Sequence, residues 1–290
     1  VLANIYMDYM MRDVLRRWPT LGIRIHYRLD GRWLDAADIT HEQRIACLMY
    51  ADDCALIASS EQELQHLYDE LAEVFRRDGM LISIAKTEAS VYRAWVSPAG
   101  WLSPQVTHED NSLVQESLAF KYLGQLKERR GAHKEITARL AGPAETWRLL
   151  KGKIFRMRSI PEKLRIELYE LLATSKLLSA AETIPMSVSE QRRLEVLRTS
   201  HLRQILYVPY TARVPNWAIR TKAAKPSVES LLYQGRLRLW SQACRDPPHS
   251  FFRSTMFGHV ADYNSKKLLA HIPTLQGLVQ KAVEHLQESI

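Results

Sequence analysis

The stretch RIACLMYADDCALIASS, residues 44–60, narrows what this chain can fold into more than any other. Two short apolar, β-prone runs, 45–50 and 54–58, flank the adjacent acids Asp52 and Asp53, the pattern of a hairpin with a tight polar turn. Neighbouring carboxylates at a hairpin tip repel one another. A divalent cation relieves that repulsion, and hard oxygen ligands suit Mg²⁺, which also binds substrate phosphates. Asp is equally a common turn former. The hairpin alone therefore accommodates both a metal-holding pair and a plain turn.

The surrounding pattern places this hairpin among helices. Residues 1–17 predict a helix with Leu2, Ile5, Tyr6, Tyr9, Met10 and Val14 on its apolar face. Residues 22–35 alternate through Ile23, Ile25, Tyr27 and Leu29, and Asp30-Gly31 predicts a hairpin turn. A third strand over 44–50 leads into the acidic turn. Ser60 and Glu63 predict a capping box for a helix that buries Leu64, Leu67, Tyr68, Leu71, Val74 and Phe75 and stops at Gly79. Short strands are expected at 81–84 and 91–95, with Lys86-Thr87-Glu88 in a loop between them. A loop or weak hairpin follows over 97–117, then a second short hairpin over 118–126.

From Gly131 the period is helical. Ile136, Leu140, Trp147, Leu150 and Ile154 share a face, with a kink expected at Gly142-Pro143. Pro161 opens a helix through Leu164, Leu168, Leu171, Leu172 and Leu178 that Pro185 ends. Further helices are expected over 189–206, 228–244 and 271–290.

A net charge of +8 and a pI near 9.4 favour a polyanionic partner. The excess is local: residues 121–170 hold 13 Lys and Arg against 6 Asp and Glu. Such a helical segment reads either as a surface for a phosphate backbone or as a solvated face. No apolar run has the length to span a bilayer, and no signal peptide opens the chain. Cys47, Cys54 and Cys244 have no pairing pattern and fit a reducing compartment. The expectation is an intracellular protein, cytoplasmic or nuclear and not secreted. The cysteine spacing forms no zinc knuckle, and no HExxH pattern occurs. The chain opens inside an apolar pattern and reads as the interior of a longer protein.

Tyr50-Ala51-Asp52-Asp53 resembles the YxDD box of reverse transcriptases, which sits on a palm-domain hairpin. IYMDYM, 5–10, resembles the helix before that box, and GIRIHYRLDGRWLD, 22–35, resembles the intervening hairpin of non-LTR (LINE-like) retrotransposon polymerases. GMLISIAKTE, 79–88, resembles the next polymerase motif and FKYLGQ, 120–125, the primer grip. SKLLSAAETIPMSVSEQRRLEVLRTSHLRQIL, 175–206, resembles the thumb-to-tail segment, and RLRLW, 236–240, a later basic-aromatic tail motif. Ser83 departs from an asparagine more usual there, and Ser179-Ala180-Ala181 replaces a bulkier Tyr-Gly-containing run. Gly142-Pro143 departs from an uninterrupted thumb helix.

The fold this implies is α+β. A partial palm with both hairpins would span 1–128, a helical thumb-like region 129–186, and a helical C-terminal tail 187–290. The activity implied is RNA-directed DNA polymerisation by two metal ions, Mg²⁺ or Mn²⁺, with an RNA template, a DNA primer and a dNTP. Asp52 and Asp53 would hold metal, Tyr50 would pack under the turn, and Lys86 would lie near the leaving pyrophosphate. Leu123 and Gly124 would let the backbone approach the primer. Arg148, Lys151, Lys153, Arg156 and Arg158 would contact phosphates without reading sequence, while Trp147 and Leu150 belong to the core.

The resemblance also implies a further carboxylate, fingers and perhaps an endonuclease in an upstream segment of the same polyprotein. On that reading the chain is the C-terminal part of the polymerase and inactive alone. The alternative is a catalytically silent remnant that binds nucleic acid through the basic thumb. A third is a structural helical fragment with a vestigial acidic pair.

Overall fold

The structure, a computed structural model, describes residues 2–27, 41–91, 105–128 and 131–260. The Asp30-Gly31 turn, the strand expected over 91–95 beyond its first residue, and the helix over 271–290 lie outside these. The chain divides into two compact units. One comprises Val1–Arg129 with the segment that begins at Cys244, and the other runs from Arg130 to Ala243. The architecture is α+β: short, mostly antiparallel sheets in the first unit and helices in the second.

In the first unit, α1 (Leu2–Arg17) is followed by β1 (Ile23–Tyr27), β2 (His41–Ile45), β3 (Cys47–Tyr50), β4 (Asp53–Leu56) and α2 (Glu61–Arg77). Met7, Met10, Met11 and Val14 of α1 pack against Leu71, Val74 and Phe75 of α2. The apolar face of α1 is therefore turned from the one expected, and Ile5 and Tyr9 are 61% and 62% exposed. Apolar residues surround most of this helix, so periodicity cannot select a side and contact with α2 does. The buried face of α2 is the expected one.

The single strand expected over 44–50 is two strands. β2 pairs antiparallel with β1, from Ile23 opposite Ile45 to Tyr27 opposite His41, while β3 pairs with β4. The division falls at buried Ala46, whose carbonyl accepts the Ile57 N–H at 2.8 Å. On the other edge of β1 lies β9 (His259–Val260), a neighbour from far along the sequence. Residues 81–84 form no strand. Leu81 is 90% exposed, residues 84–86 make a 3₁₀ turn, and no strand among the described residues pairs with them.

Ser60 caps α2 by accepting the Glu63 N–H at 3.2 Å. The Glu63 carboxylate, however, also leaves the helix end. It accepts from the Ser59 N–H at 2.7 Å and from the Gly22 N–H at 2.5 Å, tying α2 to the start of β1. Burial opposes ionisation of Glu63, but the donors of Ser59, Gly22 and Ser60 outweigh it and hold the carboxyl below the usual carboxylate range. Gly22 has φ +95°, and a Cβ there would lie 2.5 Å from the Ile45 carbonyl oxygen.

Beyond α2, β5 (Glu88–Ala89) pairs in parallel with β6 (Gln115–Glu116). A Thr107–Leu113 bridge makes the weak hairpin expected in this region. β7 (Ala119–Tyr122) and β8 (Gln125–Glu128) form the second hairpin as expected.

The second unit begins with α3 (His133–Leu150), which runs through Gly142-Pro143 without a break; Pro143 is buried inside it. The irregularity lies further on, where residues 151–155 form a π-turn closed by the Arg156 N–H on the Lys151 carbonyl at 2.9 Å. Pro161 caps α4 (Glu162–Tyr169), a second π-turn spans 170–174, and α5 (Ser175–Leu178) follows. Leu164 and Leu171, expected inside, are 45% and 67% exposed. Arg165, Ile166, Tyr169, Ala173 and Leu177 face inward instead. The π-turns account for this, because each extra residue per turn rotates the face that follows.

α6 (Val188–Ile205) carries a full Ser187–Glu190 capping box. α7 (Asn216–Ala223), which the sequence did not signal, and α8 (Val228–Arg245) complete this unit. α9 (Phe251–Phe257), equally unsignalled, belongs to the first. In the second unit the Trp147 ring stacks on His201 at 4.3 Å and on Phe155 at 5.4 Å. The Tyr169 hydroxyl and His201 Nδ1 share a 3.0 Å hydrogen bond. Burial, aided by the nearby Lys151 charge, lowers the His201 pKa to about 4. Arg198 is fully buried and paired with Glu170 at 2.9 Å.

Two outcomes follow from these contacts. Gly22→Ala should lower stability by about 2 kcal/mol or more in chemical denaturation, from left-handed strain plus a backbone clash. Because folded His201 stays neutral to about pH 4 while the unfolded imidazole protonates near 6.5, stability falls as pH drops through that window. His201→Gln should flatten that part of the pH–stability curve, measured by denaturant midpoints.

Candidate active site and basic surface

The acidic turn is held by its strands. On one side of the β3–β4 hairpin, Cys47, Met49, Cys54 and Leu56 pack on the α1–α2 core. Tyr50 and Asp53 close the ladder, leaving Ala51 and Asp52 as the turn. Ala51 has φ +54°, the positive φ that primed hairpin turns require at their first central residue. Asp52 and Asp53 are exposed, and no hydrogen bond or ion pair with another described residue occupies either carboxylate. Tyr50 does not pack beneath the turn; it is 66% exposed. Alternation along β3 sends it to the side opposite Met49.

The second hairpin reaches this one through Tyr122. Its hydroxyl donates to the Leu48 carbonyl at 3.5 Å. Burial, then the nearby Cys47, Cys54 and Asp53, raises its pKa. The next two residues, Leu123 and Gly124, form the turn, with φ +46° and +79°. Two positive φ values in succession are the type I′ geometry. Glycine at 124 is thus explained by backbone conformation; a Cβ there would meet open space. Leu123 adopts the same region with a bulky side chain, which is uncommon.

Lys86 is exposed at the end of the 84–86 turn, its N–H on the Ser83 carbonyl at 3.0 Å. No hydrogen bond or ion pair joins its ammonium to Asp52 or Asp53. Asp8 is an exposed helix residue paired with Arg12 at 2.7 Å. Among the described residues no group of three or more His, Cys, Asp or Glu is placed to hold a metal ion. The two carboxylates, unengaged by other described residues, are hard oxygen donors of the type Mg²⁺ or Mn²⁺ takes. They make a partial donor set.

The predicted basic residues lie in the second unit, around its first π-turn. Arg148, Lys153, Arg156 and Arg158 are exposed and Lys151 is half-buried. Two of them, Arg156 and Arg158, meet at Tyr207. Tyr207 donates its hydroxyl to the Arg156 carbonyl at 2.5 Å, and its ring lies under Arg158 at 5.1 Å, Arg165 at 5.1 Å and Arg156 at 5.8 Å. Arg165 is buried, donating to the Phe155 and Ile205 carbonyls at 3.2 and 2.9 Å. Trp147 belongs to the core, as expected.

Residues 1–126 match the reverse transcriptase (RNA-dependent DNA polymerase) family. The matched segment contains the acidic hairpin, Lys86 and the Leu123–Gly124 turn, and ends within β8. Reverse transcriptases use divalent metals, nucleic acid and deoxynucleotides. No curated protein and no solved structure matches the chain. No helix among the described residues is long and apolar enough to cross a membrane.

The turn of the second hairpin offers a direct check. Leu123→Gly should stabilise the protein by about 1 kcal/mol by removing left-handed strain, seen as a higher urea midpoint with unchanged slope.

Proposed function

We propose that this chain is part of an RNA-directed DNA polymerase of the non-LTR (LINE-like) kind. Residues 1–128 would supply part of the palm, 129–186 a thumb-like region and 187–290 a tail. The observation that carries the reading is the pair of exposed carboxylates, without a partner among the described residues, on a hairpin tip inside the matched segment. Tyr122 of a second hairpin lies against that same hairpin.

Asp52 and Asp53 act as oxygen ligands for Mg²⁺ or Mn²⁺. When bound, a divalent cation at this pair would supply charge neutralisation for nucleotidyl transfer. Lys86 offers an exposed cation for the pyrophosphate, and the Leu123–Gly124 turn lies against the primer end. Arg148, Lys151, Lys153, Arg156 and Arg158 bind phosphates. The donor set is two carboxylates, short of what holding two metal ions requires, so these 290 residues alone do not extend a primer. An upstream segment of the same polyprotein would supply the remainder. dNTP incorporation on poly(rA)·oligo(dT) by the purified chain would overturn this.

A second reading, a silent remnant that binds nucleic acid, is favoured by the guanidinium cluster on Tyr207, which has no need of the acidic turn. Both readings expect RNA–DNA binding that weakens with salt. Arg156→Ala with Arg158→Ala should weaken binding and reduce the salt slope by about 2 in a fluorescence anisotropy titration. Asp52→Asn with Asp53→Asn separates the readings: it should abolish Mn²⁺ binding at the turn, followed by electron paramagnetic resonance of free Mn²⁺, while leaving RNA–DNA affinity unchanged. Retained Mn²⁺ binding in this variant removes the metal assignment.

A further inference from the structure

The hairpin that carries Asp52 and Asp53 holds a second chemical feature that nucleotide transfer does not use. Cys47 on β3 and Cys54 on β4 place their sulfur atoms 3.3 Å apart. In the ladder Cys47 stands opposite Leu56 and Met49 opposite Cys54, so the thiols are diagonal neighbours on one side of the hairpin. Both are half-buried against the α1–α2 core and both are free thiols. An S–S bond is about 2.05 Å long, so oxidation needs an approach of roughly 1.2 Å.

We propose that Cys47 and Cys54 form a redox-modification site, oxidised to an intramolecular disulfide by small aliphatic disulfides of the glutathione type. Attack begins from Cys54, the thiol next to the exposed turn, in its thiolate form. It bonds to one sulfur of the small disulfide and expels the other half as a thiolate, giving a mixed disulfide. The expelled thiolate takes the Cys47 proton. Cys47 then attacks the Cys54 sulfur and releases the second small thiolate, which is protonated from solvent. Two electrons pass from the cysteine pair to the small disulfide, which leaves as two thiols.

The consequence reaches the acidic turn, because Cys54 is bonded directly to Asp53. Drawing the two sulfurs together moves and stiffens β4 at its first residues. This part rests on the metal reading above, and predicts that the oxidised protein binds Mn²⁺ at least threefold more weakly.

The test uses the full chain with Cys244→Ser, which removes the exposed third thiol. After incubation with oxidised glutathione, peptide mass mapping should find a Cys47–Cys54 crosslink with the loss of two hydrogens and no retained glutathione. A glutathione adduct that persists, or thiols that stay unreacted, overturns the site. Cys47→Ser in the same background lacks the resolving thiol and should keep glutathione on Cys54. Loss of the adduct there also counts against the mechanism, and a thermal melt confirms that this variant is folded. Mn²⁺ titration of oxidised and reduced protein then reads the coupling. Equal affinity overturns the coupling, and no Mn²⁺ binding in either form condemns the metal reading while the mass result still decides the redox site.

Discussion

The packing of the β3–β4 hairpin on the methionine-rich face of α1 and on α2 is the contact on which the candidate site depends. Met7, Met10 and Met11 are flexible and unbranched, able to fill the uneven space beneath a short two-stranded ribbon. An isolated hairpin of this length is at best marginal in water. Its inward residues, Cys47, Met49, Cys54 and Leu56, gain their stability by leaving water against that core, at about 1.5–3 kcal/mol for each large side chain fully buried. The polar tip is consequently projected outward on a supported stem. Two like charges can sit side by side there because water still screens them.

Each unit solves its internal polar problem differently. In the first, Glu63 bridges Ser59 and Gly22, joining a helix start to a strand start through backbone donors. In the second, arginines do this work. Arg198 meets Glu170 and the Pro226 carbonyl at 2.7 Å, and Arg165 collects the carbonyls left around a π-turn. Guanidinium has five fixed donors and suits such irregular backbone. A basic composition therefore has two sources here. Some of the excess faces solvent where a polyanion can meet it, and some is internal mortar. Net charge alone does not separate them.

The candidate site was largely legible as local pattern, because an Asp-Asp pair between short apolar runs has few other conformations open to it. The Ser60 cap, the stop at Gly79 and the hairpin expected over 118–126 were legible for the same reason, since each rests on contacts within a few residues; the Ser187–Glu190 capping box was not foreseen. Tyr50 was misplaced because strand alternation puts it on the outer side. Tyr207 was missed because what gathers Arg156, Arg158 and Arg165 on its ring is a meeting of residues some forty to fifty positions apart. The thiol contact lay between: the seven-residue spacing of Cys47 and Cys54 becomes informative only once Tyr50 is known to face Asp53.

The sequence by itself determined the type and approximate extent of the long elements, the location of the acidic turn, and the segment that carries the excess positive charge. These depend on periodicity, capping chemistry and turn preference, all short-range. Only the tertiary structure decided which side of α1 is buried, where 44–50 divides between two sheets, which positions of 151–178 face inward, and that β9 pairs with β1. Those outcomes turn on long-range partners. An apolar residue has no directional preference of its own, so the surface it covers is chosen by whichever neighbour the fold brings to it.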